Sequence, residues 1–452
     1  MNGGRTWYPG GSPMLDPHTD CSGVAINGPY ATLVFDREGV LYVALVANDP
    51  KFNHLERADR PRHVFLARSS DGGRSFDTSM VYEAPEGVTK DPRTNNQRPM
   101  VVVDPSDPTH VYVSWLQRGV DTGHKALIAA SDDGGRTFAE PVQLSNDEEH
   151  GGYQPRPAVG PDGTVHVIFP SSGFADPRPD EPLVRPLYYS RSVDYGRTFD
   201  EVRVIDEGNA GFSFMRKQLL AADPSTGTLY AVWYGHPDPR ASRPDADADV
   251  FVRVSTDGGD TWSERRRIND DRVGVQQYDP GISIAPNGRV DVAWYDFRNS
   301  PVPEGEGEVG NAGGYNDVYY ASSSDQGVTW SENVRVSDRI IDRTIGVWSN
   351  NIHSHTNVGM TSTDNAVFVA WQDTRNGNER TQAEDIYFAS ILLDGPNRTS
   401  VVSAASFDVP LWAVVATSLA VGLGVAMLVA AVLLRRVGPR DARLETTTRA
   451  SG

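Results

Sequence analysis

An all-β repeat fold is predicted by three observations. A short turn pattern returns at a nearly constant interval, the apolar runs are short and bounded by turn-forming residues, and the 452-residue chain carries Gly 43 and Pro 31. The pattern is S-x-D-x-G-x-[ST]-[FW]. It reads SSDGGRSF (69–76), SDDGGRTF (131–138), SVDYGRTF (192–199), STDGGDTW (255–262) and SSDQGVTW (323–330). Its aspartates are Asp71, Asp133, Asp194, Asp257 and Asp325, separated by 62, 61, 63 and 68 residues.

The runs between these turns build one unit. DPGISIAPNG (279–288), RVDVAWYD (289–296), a polar stretch and NDVYYASSSDQGVTW (316–330) read as strand, strand, connection, strand and turn. PMVVVDPSDPTHVYVSWLQ with ALIAASDDGGRTF, and TLYAVWYG with DVFVRVSTDGGDTW, repeat the order. Each unit is therefore four strands, with the repeated pattern as its third turn. In that turn Asp accepts backbone N–H groups of its own loop, Gly takes a left-handed backbone, and the final Trp or Phe packs between sheets. These aspartates are structural; the spacing lacks the further carboxylates of a calcium loop.

Six units are counted, with first strands near Tyr30, Met100, Ala158, Leu219, Ile282 and Val358. Four-stranded units that cannot bury both faces alone close as a six-bladed β-propeller. The sixth unit reaches its third strand at DIYFASILLDG (385–395) without a further copy of the turn, whereas NGGRTW (2–7) is a copy cut short. Residues 4–8 are accordingly expected to supply the outer strand of the last blade. The predicted organisation is a propeller over 1–395, a juxtamembrane linker over 396–410, a transmembrane helix over 411–434 and a basic tail over 435–452.

Residues 411–434, LWAVVATSLAVGLGVAMLVAAVLL, carry no charge. As a helix they span about 36 Å, against about 30 Å of hydrocarbon. Arg435, Arg436, Arg440 and Arg443 follow, while Asp394 and Asp408 precede, so the expected topology places the propeller outside and the C-terminus in the cytoplasm. Residues 1–30 hold no basic stretch followed by an apolar run, so this topology implies an export signal upstream of Met1. Without one, the expectation becomes a tail-anchored chain with the propeller inside.

The net charge of −18 argues against a nucleic-acid partner. One cysteine, Cys21, excludes an intramolecular disulfide. No cofactor is expected. His236, His353 and His355 lack metal-ligand spacing, and Asp245, Asp247 and Asp249 read as a solvated loop more readily than a cation site.

The repeated turns resemble the Asp boxes (BNR repeats) of the sialidase superfamily over residues 1–395. That resemblance implies a propeller and a terminal sugar acid as substrate, gripped by an arginine cluster and cleaved by a tyrosine nucleophile with an aspartate acid/base. Arg98 in NNQRPM, Arg156 in YQPRPA and Arg216 in FMRKQL resemble the clamp. Tyr278 is the nucleophile candidate, Glu148, Glu149 or Glu207 its activator, and Asp20 or Asp279 the acid/base. The family's [FY]-R-I-P motif is absent near the first unit; Gln97-Arg98-Pro99 is its nearest counterpart, one unit late. The resulting expectation is a membrane-anchored, extracellular exo-α-sialidase-like hydrolase. Its rivals are a non-catalytic propeller that binds glycans or proteins, and a purely structural envelope protein. A separate reading covers Trp294-Tyr295-Asp296-Phe297-Arg298 and Trp371-Gln372-Asp373-Thr374-Arg375, whose repetition suits a structural ion-pair lattice. The sequence leaves the sugar, its linkage and the oligomeric state open.

Overall fold

Short β-branched and aromatic runs bounded by glycine and proline form strands throughout, and the described part contains no helix. The computed structural model describes residues 32–48, 62–84, 95–118, 124–145, 151–171, 186–207, 218–238, 247–272, 274–301, 314–346, 358–378, 380–393 and 399–406. The strands form six antiparallel sheets, each built from strands consecutive in the chain. Sheet one holds β1 (Thr32–Phe35), β2 (Leu41–Asn48), β3 (Arg62–Ser69) and β4 (Asp77–Tyr82). Sheet two holds β5 (Asn95–Val103), β6 (Val111–Arg118), β7 (His124–Ser131) and β8 (Val142–Gln143). Sheet three holds β9 (Arg156–Val159), β10 (Val165–Pro170), β11 (Leu187–Ser192) and β12 (Arg203–Asp206). Sheet four holds β13 (Gln218–Ala222), β14 (Leu229–Gly235), β15 (Asp249–Ser255) and β16 (Arg266–Arg267). Sheet five holds β17 (Gln277–Ile284), β18 (Val290–Asp296), β19 (Tyr315–Ser323) and β20 (Val334–Arg335), with β21 (Ile341–Asp342) added to β19. Sheet six holds β22 (Gly359–Ser362), β23 (Ala366–Asp373), β24 (Asp385–Leu393) and β25 (Thr399–Ser406).

The first strands pack in the order β1, β5, β9, β13, β17, β22. Each principal apolar cluster lies between successive sheets. Trp115 packs between sheets one and two, Phe169 between two and three, Trp233 between three and four, Trp294 between four and five, and Trp371 between five and six. No sheet could bury both its faces alone, and this sharing makes neighbours obligatory. The four tryptophans are at most 1% exposed. Truncating any of them to alanine should cost about 3–5 kcal/mol. An all-β architecture of four-stranded sheets consistent with a propeller is thus what the structure shows.

The sixth sheet departs from the expectation. Its outer position, assigned above to residues 4–8, is taken by β25, which pairs along β24 from within the supposed linker 396–410. The stretch that joins β24 to β25, DGPNR (394–398), does not match S-x-D-x-G-x-[ST]-[FW] and lies outside the described residues. Residues 1–31 lie outside the described residues, as do residues 411–434. Among the described residues no helix is long and apolar enough to cross a membrane.

Candidate functional site

Antiparallel order places two kinds of connection at opposite ends of the sheets. The first-to-second and third-to-fourth turns share one end; the sheet-to-sheet and second-to-third connections share the other, here called the mouth. All five copies of the repeated turn follow the third strands, at the end remote from the mouth. They share one hydrogen-bond pattern. In the turn after β15, Ser255 Oγ donates to Asp257 Oδ1 (2.8 Å), Gly259 N–H to Ser255 Oγ (2.8 Å), Thr261 N–H to Asp257 Oδ1 (2.9 Å) and Thr261 Oγ1 to Asp257 Oδ2 (2.5 Å). Gly259 has φ +88°, and a Cβ there would collide with the Tyr189 hydroxyl of sheet three. Trp262 completes the wedge, edge-on to Tyr189 with centroids 5.4 Å apart. Bonds from the threonine four residues on hold Asp194, Asp257 and Asp325 down at about 2. These carboxylates are occupied in holding turns, so they are unsuited to chemistry.

The mouth is built differently, on strained backbone. Arg98, Gln154 and Asp279 have positive φ of 55°, 45° and 52°, and each directly precedes a proline. Left-handed backbone costs a side-chain-bearing residue about 1 kcal/mol or more, and proline pushes its predecessor toward extended conformations. The pairing of β5 with β6 shifts between Gln97 and Met100, and that of β17 with β18 between Tyr278 and Gly281. Three sheets thus depart from ladder geometry where their inner strands begin, a form of strain that concentrates at functional sites.

Arg156 sits two residues beyond its sheet's strained step and opposite Ile168. Its Nη1 contacts Met100 Sδ at 3.0 Å, and its Nε has no hydrogen-bond partner among the described residues. Burial draws its guanidinium down to about 10, the Arg98 charge adds to this, and Asp279 opposes it. Arg98 and Asp279 therefore both act on Arg156, across sheets two, three and five. The arginine remains charged at neutral pH.

Tyr278 and Asp279 are each 0% exposed. The Tyr278 ring stacks on Tyr295 (centroids 5.1 Å apart) and Phe297 (5.5 Å), and its hydroxyl accepts a bond from Asn316 Nδ2 at 2.6 Å. Burial, with a smaller push from Asp279, raises its pKa well above the usual phenol value, against the pull of Arg343. The hydroxyl is protonated here, whereas a nucleophile needs a lowered pKa or an adjacent base.

Arg343 is the principal residue that sequence reasoning missed. It follows β21, whose pairing on Tyr315 and Asn316 carries it inward, and Arg343 N–H bonds to Gly314 O at 2.6 Å. At 3% exposure, neither Nη1 nor Nη2 completes a hydrogen bond of good geometry with a described residue. Its guanidinium lies 5.5 Å from the Tyr295 ring centroid. The charges of Tyr278, Tyr295, Glu384 and Asp279, against the opposing effect of burial, raise its pKa. No motif surrounds it in DRTIG (342–346), so a sequence signal was lacking.

The structure brings together Arg98, Arg156, Tyr278 and Asp279 from the expected set. Arg216, Asp20, Glu148, Glu149, Asp245, His353 and His355 lie outside the described residues. Glu207 follows the outer strand β12 and is exposed. Asp249 accepts from Arg267 Nε and Asn269 Nδ2, both at 2.7 Å, and no group of metal-ligating side chains occurs among the described residues.

The expected ion-pair lattice is present at the same end of the sheets as the mouth, on the second-to-third connections outside the inner strands, here called the rim. Arg298 binds Asp296 through Nη2 (2.9 Å) and Asp270 through Nη1 (2.7 Å), and Trp294 Nε1 donates to Asp296 (2.9 Å). Sheet six repeats this: Arg375 pairs with Asp373 (2.6 Å) and Asp338 (2.8 Å), with Trp371 Nε1 on Asp373 (3.2 Å).

No family model matches the chain, and no curated protein matches it. Solved structures do. A Hadza microbial sialidase is 16% identical, with a TM-score of 0.44, over 78% of this chain and 64% of its own. A polysaccharide lyase, an ulvan lyase, is 11% identical with a TM-score of 0.49, over 82% of each chain. An alpha-L-arabinanase of Penicillium chrysogenum is 13% identical with a TM-score of 0.43, over 83% of this chain and 92% of its own. Sialidases, arabinofuranosidases and lyases all occur among these structures, so the likeness is not specific to sialidases.

Proposed function

We propose that this chain is a six-bladed propeller, anchored outside a membrane by residues 411–434, whose mouth grips the carboxylate of a terminal sugar acid and hydrolyses its glycoside. Ring closure is supported by two apolar faces left at the ends of the series, Leu41, Val43 and Leu45 on sheet one and Ala366 and Phe368 on sheet six. The five repeated turns then act as Asp boxes, latching blades far from the chemistry.

The observation that carries the functional reading is Arg343. A buried guanidinium whose terminal nitrogens complete no hydrogen bond of good geometry with a described residue is costly to keep, and a planar carboxylate is its natural complement. Arg98 and Arg156 add positive charge to the same mouth. In the hydrolytic step the Tyr278 oxygen would attack the anomeric carbon after losing its proton to a carboxylate such as Glu384, whose charge reaches Arg343. Asp279 would protonate the departing oxygen, and water would then release the sugar.

The full-length chain incubated with a fluorogenic sialoside should release fluorophore, and Tyr278→Phe should abolish the release. Absence of turnover across a panel of sugar-acid glycosides would remove the hydrolase. The buried, protonated Tyr278 favours a second reading, binding of acidic glycans without turnover. Saturable binding of N-acetylneuraminic acid without release of fluorophore would establish that one.

A further inference from the structure

Among the described residues of the mouth, Gln218 carries a buried polar group that carboxylate recognition leaves unused. Gln218 opens β13 and is 1% exposed. It stands opposite Trp233 of β14, the register at which sheets two and five place their strained steps opposite Trp115 and Trp294. Its Nε2 donates to the backbone carbonyl of Gln154 at 2.5 Å. A carbonyl only accepts, so this bond fixes the amide's orientation and directs Oε1 away from Gln154. Oε1 has no hydrogen-bond partner among the described residues.

The position of Gln218 gives the free acceptor meaning. Sheet four lies between the sheets that contribute Arg156 and Asp279, and β13 packs on both β9 and β17. A buried acceptor without a donor among the described residues is destabilising, and Arg156 and Arg343 supply charge suited to an anion at this mouth. We infer that Gln218 determines specificity: its Oε1 accepts a hydrogen bond from a hydroxyl or amide N–H of the bound sugar acid, so the mouth selects acids rich in donors over simple carboxylates. This rests on the carboxylate-binding reading above.

Two probes separate the claims. N-acetylneuraminic acid carries a carboxylate with hydroxyl and acetamide donors; propionate carries a carboxylate alone. NMR titration of the full-length chain should show both binding. Gln218→Met should weaken N-acetylneuraminic acid about tenfold, the equivalent of one hydrogen bond, and leave propionate unchanged. Undiminished binding of the sugar acid overturns the inference and leaves the carboxylate reading standing. Equal loss of both probes also overturns it, by assigning Gln218 to holding the fold. Failure of the unsubstituted chain to bind either probe overturns the carboxylate reading and this inference together.

Discussion

The rim and the mouth use the same side chain in opposite ways. At the rim, Arg298 and Arg375 each meet two aspartates and lie over a tyrosine ring, 4.1 Å from the Tyr319 centroid and 4.0 Å from that of Tyr387. At the mouth, among the described residues, Arg156 has the Met100 thioether for Nη1, and Arg343 is deeper still with neither terminal nitrogen completing a good hydrogen bond. Nearby carboxylates and hydrogen bonds oppose desolvation and raise the rim guanidiniums, whereas burial and Arg98 depress Arg156. An arginine whose partners are built into the chain stabilises the fold. One without such partners among the described residues is, on the proposed reading, held for a group outside the chain.

The sharpest way to break this contrast is to remove one arginine from each region. Arg298→Met leaves Asp296, 0% exposed, without its counter-charge. Stranding a buried charge costs about 3 kcal/mol or more, read as a lowered denaturant midpoint at unchanged slope. A loss under about 1 kcal/mol would place Arg298 among ordinary solvated pairs and dissolve the distinction.

Arg343→Met should do the reverse. Removing a guanidinium whose terminal nitrogens complete no good hydrogen bond with a described residue should leave the denaturant midpoint nearly unchanged, the relieved burial offsetting the lost attraction to Glu384 and Asp279. Carboxylate affinity should fall about 30-fold, the equivalent of about 2 kcal/mol for charge-assisted hydrogen bonds. A destabilised Arg343→Met would mean that the residue belongs to the lattice after all.

How much of this was legible beforehand follows from which physics is local. The repeated turn is local: Ser, Asp, Gly and Thr bond within eight residues, so one pattern located five turns at the ends of third strands. The rim lattice was half local, because Asp296 and Arg298 are two residues apart and their repetition in Asp373 and Arg375 exposed the pairing. Its bridges to Asp270 and Asp338 could not be read from that spacing. The mouth is the least local. Arg98, Arg156 and Asp279 are recognisable as Pro-flanked polar residues, but they meet only through the arrangement of the sheets. Arg343 arrives on a two-residue strand, β21, too short to leave a periodic signal. The outer strand of sheet six was missed for a simpler reason: no copy of the repeated turn precedes β25 in the sequence, so its residues read as linker.

The turn carboxylates give a third, weaker case that sharpens the comparison by pH. Asp257 is depressed to about 2 from 3.8, first by the Thr261 hydroxyl and then by the Thr261 N–H. A carboxylate depressed on folding stabilises the native state above pH 3.8 and loses that contribution as pH falls through about 2. Asp257→Ala should therefore cost about 1 kcal/mol at pH 7, with the deficit closing only below pH 3.8. Asp296 runs the other way, since burial raises its pKa despite the bonds from Arg298. Without Arg298 that carboxyl takes up its proton at still higher pH, which discharges the stranded group. The Arg298→Met deficit should thus begin to close above pH 3.8, before the Asp257→Ala deficit changes. Parallel denaturant titrations of both variants from pH 7 to pH 2 decide the matter. Coincident recovery of the two would show that the rim and turn carboxylates share one electrostatic environment, and the division between a paired lattice and solvated turns would fall.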